Sequence, residues 1–356
     1  MPGTPYPRRG DSANGSFLTE KAFPVRPQVF RTRITELFGI KHPILCGGLF
    51  ILADARYVAA VVNSGCMGFI TALSFLGDPE AFRREIQKCR SLTDGKPFGV
   101  SIAFSARPGA NERLVPFIAA IVEEGVKFVE TSGGNPSRFL PALKEAGCII
   151  IHKVPAVRYA LSTQKMGVDA ITVIGAEAGG HPGTYMVGNI VQAALAADAI
   201  SLPLAIGGGM GTGRHLVTAL AMGADAMLVG SCMLTATEIW AHNAYKERIL
   251  AATELDSRVV MKIFRDNHRV LDNDTARAVE DLESRGICDF DAYRNLVSGS
   301  VTRRAYDTGE WSKGMIDLGP AAVFARDIKP VQAIIDQLID EALAAMDRIK
   351  SMGVRP

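Results

Sequence analysis

From Phe30 onward the chain alternates short apolar runs with helical stretches, and this alternation limits the fold more than any single motif. The runs are Pro43–Cys46, Met67–Thr71, Phe98–Phe104, Val126–Thr131, Cys148–Val154, Ala170–Ile174, Leu202–Ile206 and Ala226–Val229. Most are continuously apolar, as expected of strands covered on both faces in a parallel sheet. Helical patterns fill the gaps: Ala55–Asn63, Pro79–Arg90 behind an Asp78 N-cap, a stretch near Asn111–Glu124, Pro136–Ala146, a segment ending at Met166, Ile190–Ala197 and Arg214–Met222. Gly147, Gly167 and Gly223 follow three of these, where left-handed backbone stops a helix. Eight such units in about 190 residues predict an α/β fold, a closed TIM (β/α)8 barrel, with an open doubly wound sheet as the competing arrangement.

The rhythm breaks beyond Glu238. Residues 241–350 read as helices without obvious strands, with Val331–Met346 returning to pack on the barrel. The expected organisation is a flexible extension over 1–29, a barrel over 30–240, a C-terminal helical lobe covering the site over 241–324, and a packing helix within 325–356. The first 29 residues are rich in Pro, Gly, Ser and charge and lack the apolar core of a secretory signal. No apolar stretch reaches the roughly 18 residues of a spanning helix, so no membrane partner is expected.

Charge and cysteine usage exclude further classes. Lys and Arg total 39 against 37 Asp and Glu, leaving no field that favours nucleic acid. Six cysteines are scattered without a C-x-x-C pair, mostly inside apolar runs, which reads as free thiols in a reducing cytoplasm. There is no H-E-x-x-H and no carboxylate pair at ligand spacing, so no metal is expected.

In a barrel of this kind the chemistry sits at the carboxyl ends of the strands, and glycine gathers there. Gly47-Gly48 follow the first run, Gly175 to Gly183 the sixth, Gly207-Gly-Gly-Met-Gly-Thr-Gly213 the seventh, and Gly230-Ser231 the eighth. The last two loops, with a helix opening near Thr212, occupy the usual phosphate position, though tight turns are the plainer explanation. Neither G-x-G-x-x-G nor G-x-x-x-x-G-K-[ST] occurs, which leaves a mononucleotide cofactor or a phosphorylated substrate. His181, bracketed by glycines and a proline, is a candidate general acid or base, or else a surface-loop histidine. The other five histidines, His268 in the lobe among them, are weaker candidates. His152 and Lys153 point to opposite faces of the fifth run, so one of them enters the barrel. A Lys there would hold a phosphate or a negative charge on a reduced ring, or else remain a solvated surface Lys.

Several ordered segments carry a family resemblance: Arg31 to Ile44, Gly47-Gly48, Gly175-x-Glu-x-Gly-Gly-His-Pro-Gly183, Gly208-Gly209 with Gly213-Arg214, Ala219 to Asp225, and Trp311-Ser-Lys-Gly-Met315. Together they resemble the nitronate monooxygenases, also called 2-nitropropane dioxygenases, from about residue 30 to the end. The resemblance implies an FMN-binding barrel. Gly48, Leu49 and Phe50 would support the flavin. Lys153, Gly179 and Gly180 would lie near its ring and ribityl chain, and Gly208, Gly209, Met210, Gly230 and Ser231 would hold its phosphate. His181 falls on the family's active-site histidine. Ile174 and Ala103 stand where the family commonly has polar residues, and with Leu49 and Phe50 they make the site more apolar.

The expected activity is therefore oxidation of alkyl nitronates with O2 to a carbonyl compound and nitrite. The alternative is an NAD(P)H-dependent reductase of quinones or enoyl thioesters on the same barrel, and a non-catalytic binding barrel is a third reading. The expected partners are a nitronate or quinone substrate, O2, NAD(P)H and a second copy of the chain in a homodimer.

Overall fold

The computed structural model describes residues 26–107 and 109–353. Eight strands close into a barrel in sequence order: β1 (Ile44–Cys46), β2 (Met67–Thr71), β3 (Gly99–Phe104), β4 (Phe128–Gly133), β5 (Ile149–Val154), β6 (Ala170–Ile174), β7 (Leu204–Gly207) and β8 (Ala226–Val229). Every neighbouring pair is parallel, and β8 returns to β1 with Leu45 opposite Leu228. The outer ring is α2 (Ala55–Asn63), α3 (Pro79–Leu92), α4 (Val115–Glu123), α5 (Leu140–Glu145), α6 (Val157–Gln164), α7 (Asn189–Ala199) and α8 (Gly213–Ala221). Asp54 and Asp78 accept hydrogen bonds from the Tyr57 and Ala81 amides, fixing where α2 and α3 begin.

Side-chain parity divides the core in two. Leu45, Met67, Phe69, Phe128, Ile151, Ala170, Ala205, Ala226 and Leu228 point inward and fill the barrel, while a larger cluster seals sheet against helices. The amino end of the barrel is plugged by α1 (Arg33–Phe38), whose Phe38 ring stacks on Phe128 at 4.9 Å. This helix has only six residues, too few to show a periodic pattern in the sequence. Arg33 grips Asp225 through Nε at 3.0 Å and an outer nitrogen at 2.6 Å, and Asp225 also accepts the Leu204 amide. The family-like Ala219–Asp225 segment thus serves the closed end of the barrel, away from the chemistry.

The lobe contains α9 (Asn243–Leu250), β9 (Ser257–Val260), β10 (His268–Leu271), α10 (Asp274–Ser284), α11 (Asp291–Val297) and α12 (Gly299–Thr308). The expectation of helices without strands is corrected here, because β9 and β10 form an antiparallel ribbon. At four residues each, with Ser-Arg and His-Arg openings, they are too short and polar to register as apolar runs. The ribbon is sewn to the barrel: Gly180 and Arg269 exchange amide-to-carbonyl bonds of 3.0 and 2.6 Å.

The last helix, α13 (Val331–Met352), lies against α8 and α2. It touches α8 so closely that a Cβ on Gly213 would stand 2.1 Å from the Leu338 carbonyl oxygen. Arg26 pairs with Asp336 and Asp340 of α13, while residues 1–25 of the expected extension lie outside the described residues. Cys46, Cys66, Cys89, Cys148 and Cys232 are buried and unpaired, and Cys288 is exposed. No helix among the described residues is long and apolar enough to cross a membrane.

Candidate active site

A cavity opens at the carboxyl end of the barrel. Its wall includes Gly48, Leu49, Phe50, Lys153, Gly179, Gly208, Gly209, Met210, Gly230 and Ser231. Gly180 and His181 stand just outside that wall. Ile174 lines the cavity, whereas Ala103 does not, so only the first of the two apolar replacements touches this space.

The glycine-rich loop after β7 has divided tasks. Gly208 and Gly209 have φ of +93° and +72°, a conformation that side chains other than glycine resist. Asn189 holds this turn by donating from Nδ2 to the Gly208 carbonyl at 2.6 Å. Gly211 and Gly213 instead permit contact with Phe324 and α13. The start of α8, expected to share in the phosphate position, is already engaged: the Gly213 amide donates to Glu341 and the Gly211 amide to His215. The amides of Gly208, Gly209, Met210, Gly230 and Ser231 find no acceptor among the described residues. Five backbone donors without an acceptor, on the two loops that line the cavity after β7 and β8, suit an anionic group. Ser231 Oγ accepts the Gly319 amide at 2.9 Å, which fixes this loop against the lobe.

The opposite wall is built from side chains. Strand parity turns Lys153 into the barrel and His152 outward, where His152 Nδ1 meets Thr131 Oγ1 at 2.8 Å. Lys153 Nζ donates to both Glu130 carboxylate oxygens at 3.2 Å. Ser101 Oγ donates to Glu130 Oε2 at 2.6 Å, and Glu130 is 1% exposed. Glu130 was absent from the sequence candidates. Its signal was available: it is the one acid in its run and shares inward parity with Phe128, and the ladder sets it beside Ser101. Gly48 is required where it is, since a Cβ there would lie 2.6 Å from Ser101 Cβ.

At the mouth, the His181 and His268 rings stack with centroids 4.2 Å apart and planes 21° apart. His268 Nε2 lies 2.6 Å from Asp317 Oδ1, and Asp317 lines the cavity. His181 Nε2 is 3.7 Å from Asp266 Oδ1. Loss of hydration, then the neighbouring His268, lowers the His181 pKa below its ordinary 6.5, against the pull of Asp266 and Asp317. Since 57% of the His181 side chain remains exposed, the hydration part is the weaker one physically and the stacked ring matters more. Burial raises the Asp317 pKa, but the charge and hydrogen bond of His268, with help from His181 and Lys153, bring it below the usual value. His268 and Asp317 carry no local sequence signal, as they reach the mouth only through the ribbon and the segment after α12.

The comparisons with known proteins agree with this geometry. The nitronate monooxygenase family model matches residues 31–341. A (3aS,4S,5R,7aS)-5-hydroxy-7a-methyl-1-oxo-octahydro-1H-indene-4-carboxyl-CoA dehydrogenase of Mycobacterium tuberculosis is 32% identical over 255 residues, covering 71% of this chain and 69% of that protein. A probable nitronate monooxygenase of Staphylococcus saprophyticus is 25% identical, covering 89% of this chain and 99% of the relative. Among solved structures, FabK from Thermotoga maritima superposes with a TM-score of 0.83 at 31% identity, over 91% of this chain and 99% of that one. With the family pattern spanning both barrel and lobe, the chain belongs to the nitronate monooxygenase family and is a flavin-dependent oxidoreductase acting on small molecules.

Proposed function

We propose that the cavity holds FMN and that the protein oxidises alkyl nitronates with O2 to a carbonyl compound and nitrite. One observation carries this reading: the unpartnered amides line the same cavity as Asp317, and Asp317 holds His268, whose ring stacks on His181. Gly208, Gly209, Met210, Gly230 and Ser231 would receive the phosphate. Gly48, Leu49, Phe50, Gly179, Gly180 and Lys153 would flank the ring and ribityl chain. Bound FMN supplies the electron acceptor and the reactivity toward O2 that side chains lack. His181 orients the anion, or removes the proton of a neutral nitroalkane before oxidation. Five buried free thiols fit a reducing compartment, and we place the enzyme in the cytoplasm.

The test is direct. The purified protein is expected to be yellow and to release FMN on denaturation. His181→Ala is expected to keep FMN and to slow oxidation of a neutral nitroalkane by roughly 10²–10⁴-fold, the usual contribution of a placed base. Undiminished turnover in that variant would remove His181 from the chemistry.

A second reading, reduction of an enoyl thioester or a quinone with NAD(P)H, is favoured by the apolar wall of Leu49, Phe50 and Ile174. The CoA-thioester named in the mycobacterial relative points the same way. Anaerobic mixing separates the two. Bleaching of the yellow colour by a nitronate but not by NADH or NADPH supports the first reading, and rapid bleaching by either nucleotide supports the second.

A further inference from the structure

The two stacked imidazoles at the mouth cannot both carry a positive charge without mutual repulsion, and their surroundings are unequal. His268, on β10, has the Asp317 carboxylate at 2.6 Å from its Nε2. His181, on the loop after β6, pairs with Asp266 at 3.7 Å, both of those side chains being more than half exposed, and feels Asp317 without a hydrogen bond to it. Lys153, on β5, adds its charge at Asp317 while its ammonium pairs with Glu130 at 3.2 Å. Arg269, next to His268, is turned away, donating to the Ala176 carbonyl and to Ser257. A proton arriving at the pair is therefore better compensated on His268. A short, charge-assisted hydrogen bond outweighs a longer contact open to solvent.

We propose that His268 and Asp317 form a proton-holding pair that keeps His181 in its neutral, proton-accepting form: the stack accommodates one positive charge, and Asp317 holds that charge on His268. His268 is thus a positioning residue that acts on His181 through the stack, and Asp317 is the residue that fixes which ring is charged. The inference deepens the proposed role of His181 and rests on it for its meaning in catalysis. The order of protonation stands independently of that role.

The experiment uses the full-length, flavin-loaded protein carrying ring-¹⁵N histidine, with the two imidazoles followed by NMR as pH is lowered. The expected result is that His268 gains its second ring proton before His181. In Asp317→Asn the order is expected to reverse or the two to titrate together. In His268→Gln, which keeps a hydrogen-bonding group beside Asp317 but removes the charge, His181 is expected to titrate about one pH unit higher, the size of one like charge at this distance in a half-solvated site. The acid limb of kcat/KM should move up with it while Tm stays close to that of the wild type. Protonation of His181 first in the wild-type protein would overturn the proposal without any variant, so misfolding of a mutant leaves it testable. An unshifted His181 titration in a folded His268→Gln protein would overturn it as well. Full activity of His181→Ala beside the expected protonation order would sink the proposed role of His181 and leave the proton-holding pair standing.

Discussion

Two polar clusters border the cavity, one through Lys153 and the other through Asp317, and they are made in opposite ways. Ser101, Glu130 and Lys153 project from three consecutive barrel strands, so ladder register alone brings them together. They are shut away from water, with Glu130 at 1% exposure. His181, His268 and Asp317 come from a barrel loop, a ribbon strand and the segment after α12, and they meet only because the lobe is sewn to the barrel at Gly180 and Arg269. The inner cluster is rigid because the sheet is rigid. The outer one is half in water, where protons exchange readily. The contrast suits a division of labour in which the strands hold fixed charge and the mouth handles movable charge.

Substitutions can break this contrast, and the largest effect belongs inside. Lys153→Met leaves Glu130 buried without its cation and should destabilise the fold by about 3–5 kcal/mol, read as a lower urea midpoint. The next effect is one of pH. His152, behind Lys153 on β5, is held to a pKa of about 4 chiefly by burial, with Lys153 adding to that and Glu130 opposing it. A base depressed in the folded state contributes full stability above its ordinary 6.5 and loses it as pH falls from there to about 4, because the unfolded chain binds the proton first. The loss should reach roughly 3 kcal/mol, and His152→Gln should flatten that slope in unfolding curves taken across the range. Asp317 follows the same direction in a lower window: its lowered pKa contributes stability above the ordinary carboxylate range, lost only as pH falls below about 4. The two regions should therefore fail in separate pH windows, and a single merged transition would refute the division. Smaller again is Ser101→Ala, which removes one hydrogen bond to a charged group and should cost about 1.5–3 kcal/mol. Smallest is Asp266→Asn, at the exposed edge, which should move the unfolding midpoint by no more than about 0.5 kcal/mol while shifting the His181 titration downward.

The sequence was most informative where a pattern repeats. Every barrel strand appeared as an apolar run, and the N-cap at Asp78 and the glycine stops marked helix ends within a few residues. Period two put His152 and Lys153 on opposite faces from sequence alone, and the barrel then shows Lys153 to be the inward one. The same parity singles out Glu130, a residue passed over because a lone acid in an apolar run looks like noise until its neighbours on adjacent strands are known. His268 and Asp317 had no such signal. Their meaning comes from a ribbon of two four-residue strands and from one pairing between lobe and barrel, which are long-range facts with no local trace. The glycine-rich loop after β7 was a mixed case. Its cluster stood out, but packing against Phe324 and α13 accounts for Gly211 and Gly213, leaving Gly208 and Gly209 for the turn.

Glu341 on α13 takes the first amide of α8, and the bare backbone of Gly213 lets the two helices touch. A ribosome has finished all eight strands before it makes that helix. The contact between α8 and α13 can therefore form only after the whole barrel has been synthesised, and a chain cut before residue 331 would leave the Gly213 amide without its carboxylate acceptor.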